Sequence, residues 1–194
     1  MEILAEHPEY DMLEYPVYVH KGSREQHVLS FVPQTYTDRN RYWLDTKAYS
    51  HAYAWNKIYR QGVFQNIRYP KGKLFEDVWI YPEILRQVGI IATTDKGMYI
   101  YTYNPDSITA RPEGAVLKEL LSAHLTKLED QAIDYRYYAY LLNIQMDVYE
   151  RTGDEPILPI LPYWGTLKLA LLHIIGLKKT CQLNKILHRL SRRN

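Results

Sequence analysis

The hydrophobic pattern of this chain changes at Pro112, and the change limits which folds are available to it. Before Pro112, short apolar runs bounded by turn residues alternate with segments of helical character. We predict strands at Met12 to Val19, Val28 to Val32, Ile90 to Thr94 and Gly97 to Tyr103. Helices are predicted from the cap Asp38 to about Tyr49 and from Glu76 to about Val88. The last two strands flank a turn at residues 95–97. Because both strands and helices are predicted before Pro112, this part of the chain is expected to be mixed α/β.

After Pro112 the apolar residues recur at helical spacing. They predict one helix from about Val116 to Leu128 and a second from about Ile133 to Tyr149, and Thr152-Gly153-Asp154 then breaks the pattern. We therefore divide the chain into residues 1–110, an α/β part, residues 111–155, a helical extension, and residues 156–194, a basic amphipathic helical tail.

The charge is concentrated in the tail. The chain as a whole carries a formal charge of +2, but residues 156–194 contain seven Lys and Arg and no acid. Pro159 and Pro162 interrupt the apolar stretch in this tail, so a full membrane span is not expected. Two interpretations stay open, namely helices that dock on the body with a solvated basic edge, or helices that lie on an anionic membrane surface. Contact with nucleic acid is disfavoured because the body is acidic.

Several functions are excluded by the absence of their motifs. The chain has no Gly-rich dinucleotide or phosphate-binding fingerprint and no Gly-x-Ser-x-Gly nucleophile turn. Cys181 is the single cysteine, which rules out an intramolecular disulfide, and the N-terminus lacks the features of a secretory signal. We therefore expect a cytoplasmic protein. The chain has 19 tyrosines and only 3 phenylalanines. Because a tyrosine ring is apolar and its hydroxyl is polar, this excess favours partly solvated surfaces such as clefts.

One stretch combines charged and aromatic residues in a way that could support chemistry. Glu76 and Asp77 are adjacent carboxylates at a predicted helix start, and basic residues lie in Trp55 to Arg60 and in Arg68 to Lys73 just upstream. A carboxylate there could deprotonate an acceptor hydroxyl while the cations hold an anionic ligand. Acids in the first turn of a helix are also stabilised by its dipole without any catalytic role. The spacing alone leaves both interpretations open.

Four motifs resemble a known family. They are Trp55-Asn56-Lys57-Ile58-Tyr59, Tyr69-Pro70-Lys71-Gly72-Lys73, Glu76-Asp77, and Met98-Tyr99-Ile100-Tyr101 with Ser107-Ile108-Thr109. In this order they resemble the acceptor-side half of family 2 glycosyltransferases, inverting enzymes of the GT-A fold that build bacterial capsule, lipopolysaccharide and other surface polysaccharides. The resemblance covers about residues 11–109. It implies a partial GT-A-like mixed sheet flanked by helices, followed by C-terminal α-helices.

The resemblance also implies roles for individual residues. Asp77 matches the family's general base, and Glu76 would support the site. The candidate substrate-binding residues are Trp55, Asn56, Lys57, Tyr59, Arg60 and Trp79. Among them, the aromatic rings could pack on sugar faces or belong to the core, and Lys57 and Arg60 could meet phosphate, hold the acidic pair or form plain ion pairs.

The donor side of the reaction is less complete. The family's donor is a nucleotide-diphosphate sugar, whose pyrophosphate is usually neutralised by Mg²⁺ or Mn²⁺ on an Asp-x-Asp motif. None of the ten aspartates lies two positions from another, and many relatives place a basic residue where Thr102 stands. The family's nucleotide-binding strands would precede Met1. We therefore expect the divalent metal to serve the complete enzyme, with none clearly bound by this chain, and we expect the isolated chain to be inactive.

Two functions thus emerge. The first is the portion of a glycosyltransferase that transfers a sugar to a hydroxyl of a surface polysaccharide or lipid-linked glycan, in the cytoplasm or at the inner face of the cytoplasmic membrane. The alternative is a non-catalytic module that binds a glycan, a membrane or a partner and lacks a donor site. An open sheet edge could also pair two copies into a dimer.

Overall fold

A computed structural model describes residues 2–107 and 113–191, and these residues form a mixed α/β fold, as the sequence predicts. The chain divides into two compact units. The first consists of Met1–Gly72 and Glu76–Arg111, and the second of Lys73–Phe75 and Pro112–Asn194. Ile108 and Thr109, which end the last of the four sequence motifs, lie outside the described residues.

The first unit contains three helices, α1 (Glu2–Glu6), α2 (Arg39–Asp45) and α3 (Glu76–Gln87), within the described residues. Its strands are β1 (Met12–Glu14), β2 (Val17–Lys21), β3 (His27–Leu29), β4 (Gln34–Tyr36), β5 (Lys57–Tyr59), β6 (Ile91–Thr93) and β7 (Tyr99–Thr102). Four of them form a mixed sheet in the order β4-β6-β1-β5, in which β1 runs parallel to β6 and antiparallel to β5. The others form a second mixed sheet, β3-β2-β7.

The predicted strand from Met12 to Val19 is wrong in one respect, because Pro16 divides it. Proline has no N–H group to donate to a sheet ladder, so β1 ends before it and β2 begins after it in the other sheet. Both neighbours of the break are still anchored, since Tyr15 N donates to Asn56 O at 3.1 Å and Pro16 O accepts from Tyr99 N at 2.9 Å. The division turns one predicted strand into the link between two sheets.

The turn at residues 95–97 does not join its two flanking strands into a hairpin. β6 runs parallel to β1 in the first sheet, whereas β7 runs parallel to β2 in the second. The chain therefore changes sheet at this turn, just as it does at Pro16. Gly97 adopts a φ of 77°, which glycine tolerates without strain.

Residues 34–50 contain one helix cap that was predicted and one strand that was not. Asp38 caps α2 as predicted, because its carboxylate accepts from the backbone N–H groups of Asn40 and Arg41. The helix ends earlier than predicted, at Asp45, and a short 3₁₀ helix follows at Ala48–Ser50. The strand β4 was not predicted because its three residues, Gln-Thr-Tyr after a proline, are too few to show an alternating pattern, although Thr and Tyr favour strands.

The helix α3 begins at Glu76, as predicted, and ends at Gln87. One of its faces packs into the core of the first unit through Ile80, Tyr81, Ile84 and Leu85, each at most 4% exposed. This burial fixes the helix and so fixes its first turn, where Glu76 and Asp77 lie.

The second unit contains α4 (Gly114–Thr126), α5 (Tyr135–Thr152), α6 (Leu167–Ile175) and α7 (Leu177–Ser191) within its described residues. The first two confirm the helices predicted after Pro112. Leu121, Ile144 and Val148 form a buried cluster between α4 and α5. Asp134 caps α5 through two backbone N–H groups, and Gly153, with a φ of 75°, ends that helix.

The two helices of the basic tail expose much of their apolar surface. Leu167 and Ile174 on α6 are 78% and 73% exposed, and Ile186, Leu187 and Leu190 on α7 are each more than half exposed. None of the described helices combines the length and the apolar character that a membrane crossing requires.

Candidate active site around Asp77

Asp77 lies in the first turn of α3 and is held there by the backbone that follows it. Its Oδ1 atom accepts a hydrogen bond from Val78 N at 2.8 Å. Desolvation raises the pKa of the Asp77 carboxyl above its ordinary value, and the charge of Glu76 adds to the rise. The hydrogen bond from Val78 and the charge of Lys57 act in the opposite direction. The balance leaves a carboxylate that is a stronger base than a solvated aspartate.

Three tyrosines lie within electrostatic range of this carboxylate. Tyr53, Tyr59 and Tyr69 each interact electrostatically with Asp77, and burial is the largest cause that raises the pKa of each phenol. They are therefore neutral hydroxyl groups near neutral pH. The Tyr59 hydroxyl is buried and has no hydrogen-bond partner among residues 2–107 and 113–191. The sequence analysis singled out Tyr59 but not Tyr53, and it used Tyr69 only as part of a motif.

An aromatic stack adjoins the tyrosines and consists of Tyr53, Trp55, Tyr99 and Tyr101. The Trp55 ring lies 4.5 Å from that of Tyr53 and 4.6 Å from that of Tyr99, with interplanar angles of 10° and 30°. The ring of Tyr101 lies 5.2 Å from that of Trp55. Tyr53 joins the stack to the carboxylate, because its hydroxyl interacts electrostatically with both Asp77 and Tyr101. Two separate sequence motifs therefore meet at Trp55.

A buried polar network lies behind the site and centres on Glu14 of β1, a residue that the sequence analysis did not single out. Glu14 is fully buried, and its Oε1 atom lies 2.9 Å from Lys57 Nζ and 3.0 Å from His51 Nδ1. Asn56 Nδ2 donates to the same oxygen at 3.2 Å, and the Tyr42 hydroxyl donates to Oε2 at 2.6 Å. Burial alone would raise the pKa of Glu14, but the charges of Lys57 and His51 outweigh it and hold the pKa at about 2.

Two partners of Glu14 are surrounded by oxygen atoms. His51 Nδ1 faces the Glu14 carboxylate, and His51 Nε2 lies 2.8 Å from the carbonyl oxygen of Thr46. Lys57 Nζ donates to the carbonyl oxygens of His51 and Tyr53 at 2.9 and 2.7 Å and to Asn56 Oδ1 at 2.8 Å, and three donated bonds require the ammonium form. Burial nevertheless lowers the pKa of Lys57, and the charges of Glu14 and Asp77 oppose that change.

The structure brings some of the predicted site residues together and directs others elsewhere. Asp77, Lys57 and Tyr59 interact electrostatically, and Trp55 joins them through Tyr53. Lys57 and Asn56 are buried and face Glu14. Glu76 is exposed beside Asp77, and Trp79 is half-buried on the same helix.

Arg60 points away from this group. Its Nε atom lies 2.9 Å from Asp11 Oδ1, and its guanidinium also donates to the carbonyl oxygens of Pro8 and Tyr10. These contacts tie β5 to the segment that leads into β1. The sequence left several roles open for Arg60. In the structure Arg60 forms an ion pair.

The donor set near Asp77 does not fit a divalent metal ion. Within residues 2–107 and 113–191, one group of three or more His, Cys, Asp or Glu side chains has its ligand atoms close enough for a shared ion. That group is Asp147, Glu150 and His188 in the second unit. Glu76 and Asp77 do not belong to it.

Neither a scan against models of known protein families nor a search of curated proteins finds a match to this chain. The resemblance to family 2 glycosyltransferases therefore stays a prediction. The geometry around Asp77 is the basis on which a function can be argued.

Proposed function

We propose that this chain carries the acceptor-binding and catalytic-base portion of an inverting glycosyltransferase. Its donor would be a nucleotide-diphosphate sugar, and its acceptor a hydroxyl of a bacterial cell-surface polysaccharide or lipid-linked glycan. The observation that carries the proposal is Asp77, a desolvated carboxylate of raised pKa beside an aromatic stack. The mixed sheets of the first unit support its GT-A-like part.

Asp77 would act as the general base in a single displacement. Its carboxylate accepts the proton of the acceptor hydroxyl while that oxygen forms a bond to the anomeric carbon of the donor sugar. The bond from the anomeric carbon to the nucleotide diphosphate breaks at the same time, and the diphosphate leaves with the electron pair. The configuration inverts because attack and departure occur on opposite faces, and a raised pKa favours this role near neutral pH.

The neighbours of Asp77 would orient and tune this base. Val78 N holds Oδ1, which fixes the plane of the carboxylate. Lys57 is anchored to Glu14 and its charge acts on Asp77 to lower the pKa, so the base keeps a population of the ionised form. In this account Lys57 and Glu14 are positioning residues rather than groups that touch substrate.

The aromatic stack would bind the sugar ring of the acceptor. Aromatic faces pack well on the apolar side of a pyranose, and a half-exposed aromatic surface leaves such a face available. Tyr99 is 38% exposed at the edge of the stack, and Tyr53 connects the stack to Asp77. A sugar on this surface would place its hydroxyl groups toward the base.

The experiment that tests the proposal compares Asp77→Asn with Asp95→Asn in a complete enzyme that also supplies the donor-binding half, because the isolated chain is expected to be inactive. Asp95 is an exposed aspartate between β6 and β7, so its replacement is the matched control. Sugar transfer is followed by mass spectrometry over a panel of nucleotide sugars and acceptor oligosaccharides with Mg²⁺ and Mn²⁺ present. We expect Asp77→Asn to lower kcat by about two to four orders of magnitude and to leave acceptor binding unchanged. Near-normal turnover of Asp77→Asn would remove Asp77 from the base role.

The second candidate is a non-catalytic glycan-binding module, which the lack of an Asp-x-Asp motif among the ten aspartates favours. This candidate keeps the aromatic stack and assigns no chemistry to Asp77. It predicts glycan binding that is lost in Trp55→Ala, together with no transfer and no donor hydrolysis from any nucleotide sugar in the panel.

The location that we propose is the cytoplasm, with peripheral attachment to the anionic inner face of the cytoplasmic membrane. The support comes from residues 156–194, which carry seven basic residues and no acid. Exposed apolar side chains on α7 lie among these charges, a combination typical of helices that rest on membrane surfaces.

A further inference from the structure

The second unit holds a group of potential metal ligands that the proposed function does not use. Asp147 and Glu150 lie on α5, and His188 lies on α7. One ligand atom from each side chain lies within 4.8 Å of the other two. All three residues belong to the second unit, so their arrangement does not depend on the first.

The sequence and the packing together explain why these side chains converge. Asp147 and Glu150 are three residues apart, a spacing that puts both on one side of a helix. The helix α7 packs against α5, and His188 Nδ1 lies 2.7 Å from Glu150 Oε2. Two side chains from one side of α5 and one side chain from α7 thus place their ligand atoms close together.

The donor atoms match zinc better than the hard cations. An imidazole nitrogen and two carboxylate oxygens are ordinary Zn²⁺ ligands with bonds of about 2.0–2.2 Å, whereas Ca²⁺ and Mg²⁺ favour sets made of oxygen alone. Tetrahedral coordination at such bond lengths places ligand atoms about 3.3 Å apart. The three ligand atoms lie within 4.8 Å of one another. Side-chain rotations that move each atom by about 1 Å would bring them to that spacing.

The charges in the neighbourhood limit the affinity. Two carboxylates at one point repel each other, and a divalent cation relieves that repulsion. Arg151 and Lys168 also interact electrostatically with Asp147 and act against a cation. The site is therefore expected to bind more weakly than a closed site with four protein ligands.

We propose that Asp147, Glu150 and His188 form a Zn²⁺ site that joins α5 to α7, with water as the fourth ligand. The Nδ1 atom of His188, which faces Glu150 in the metal-free chain, would bind the ion through the lone pair of a neutral imidazole, so the ring proton must then be on Nε2. The ion links two helices of one unit. Because it would bind the folded chain more tightly than the unfolded chain, it stabilises that unit.

Titration calorimetry on the untagged, chelator-treated full chain tests the site with ZnCl₂ as the probe. We expect one Zn²⁺ per chain, no binding of Mg²⁺ under the same conditions, and at least about a tenfold loss of Zn²⁺ affinity in each of Asp147→Asn, Glu150→Gln and His188→Gln. Glu155→Gln is the matched control, because Glu155 is an exposed acid of the same unit that pairs with Lys178 at 2.7 Å. Its affinity should equal that of the unchanged chain.

A second readout keeps the test independent of one fragile variant. Zn²⁺ should raise the midpoint of thermal unfolding in the unchanged chain and in Glu155→Gln but not in His188→Gln. Circular dichroism confirms the folded state of each variant, and Asp147→Asn, which preserves the shape of the side chain, decides the question where the others fail to fold. Absence of Zn²⁺ binding at a large molar excess, or affinity that is unchanged in Asp147→Asn or His188→Gln, would overturn the proposal.

Discussion

The substitution Glu14→Gln tests the buried network that supports Asp77. It keeps the shape of the side chain but removes its charge, so the Lys57 ammonium loses its counter-ion and His51 loses its carboxylate partner in the interior. Glu14 is fully buried, and solvent cannot replace the lost interaction. The substitution should therefore lower the stability of the first unit strongly.

The pKa of Glu14 gives the size of the effect. A carboxyl whose pKa is held at about 2 in the folded chain, against an ordinary value of 4.5, contributes about 3 kcal/mol to the free energy of unfolding at neutral pH. The cost of breaking a buried ion pair is also about 3–5 kcal/mol. The two arguments agree, and the loss is a large share of the stability of an ordinary domain, about 5–15 kcal/mol.

The same argument fixes the direction of the pH dependence. The folded pKa of Glu14 is depressed, so its contribution is fully present above pH 4.5 and is lost as the pH falls toward 2. About 2 kcal/mol is lost by pH 3. The difference in stability between the unchanged chain and Glu14→Gln should therefore shrink by this amount between pH 7 and pH 3.

Urea unfolding followed by tryptophan fluorescence measures both quantities. Trp164 is the one tryptophan of the second unit, and in a Trp164→Phe background the signal comes from the first unit alone. Asp45→Asn is the control, because Asp45 belongs to the first unit and its exposed pair with Arg41 at 3.2 Å should contribute less than about 1 kcal/mol. A stability loss in Glu14→Gln no larger than that of the control, or a loss that is equal at pH 3 and pH 7, would show that the charge of Glu14 does not stabilise the first unit.

Two further predictions concern the second unit and its tail. The unchanged chain should sediment together with phosphatidylglycerol vesicles. Leu187→Glu should weaken this binding about tenfold, whereas Val32→Glu, at a more exposed site in the first unit, should not. Equal binding by both variants would contradict membrane attachment through α7. Gln145→Leu should lower the free energy of unfolding by about 1–3 kcal/mol, since the buried Oε1 atom accepts from two backbone N–H groups of the following loop at 2.8 and 3.0 Å. Urea unfolding checks this, and a loss no larger than that of the exposed Gln182→Leu would count against it.

The parts of the fold that were predictable depend on local signals. The cap at Asp38, the start of α3 at Glu76 and the helix α5 each follow from residues within a few positions of one another. Local spacing decides such features, so one sequence is enough. The position of Asp77 at a helix start belongs to the same class.

The pairing of strands was not predictable in this way. Pro16 gave a signal for a break, but nothing local indicates that β1 and β2 enter different sheets or that β6 and β7 follow them. The pairing of β1 with β6 joins residues nearly eighty positions apart, and such contacts depend on the whole core.

The same limit applies to the candidate site. The network of Glu14 reaches Tyr42, His51 and Asn56 across 28 to 42 positions, so the sequence offered no reason to single out this one glutamate. Tyr53 was likewise one of 19 tyrosines until its ring was placed on that of Trp55. Folding, not spacing, selects these residues.

The turnover of Asp77→Asn decides whether Asp77 is the catalytic base. The measurement is kcat for sugar transfer at saturating acceptor in a complete enzyme that also supplies the donor-binding half, with Asp95→Asn measured beside it. The account predicts a rate about two to four orders of magnitude lower in Asp77→Asn alone, with acceptor affinity equal in both variants. A rate for Asp77→Asn that matches the rate for Asp95→Asn would contradict the assignment of Asp77 as the base.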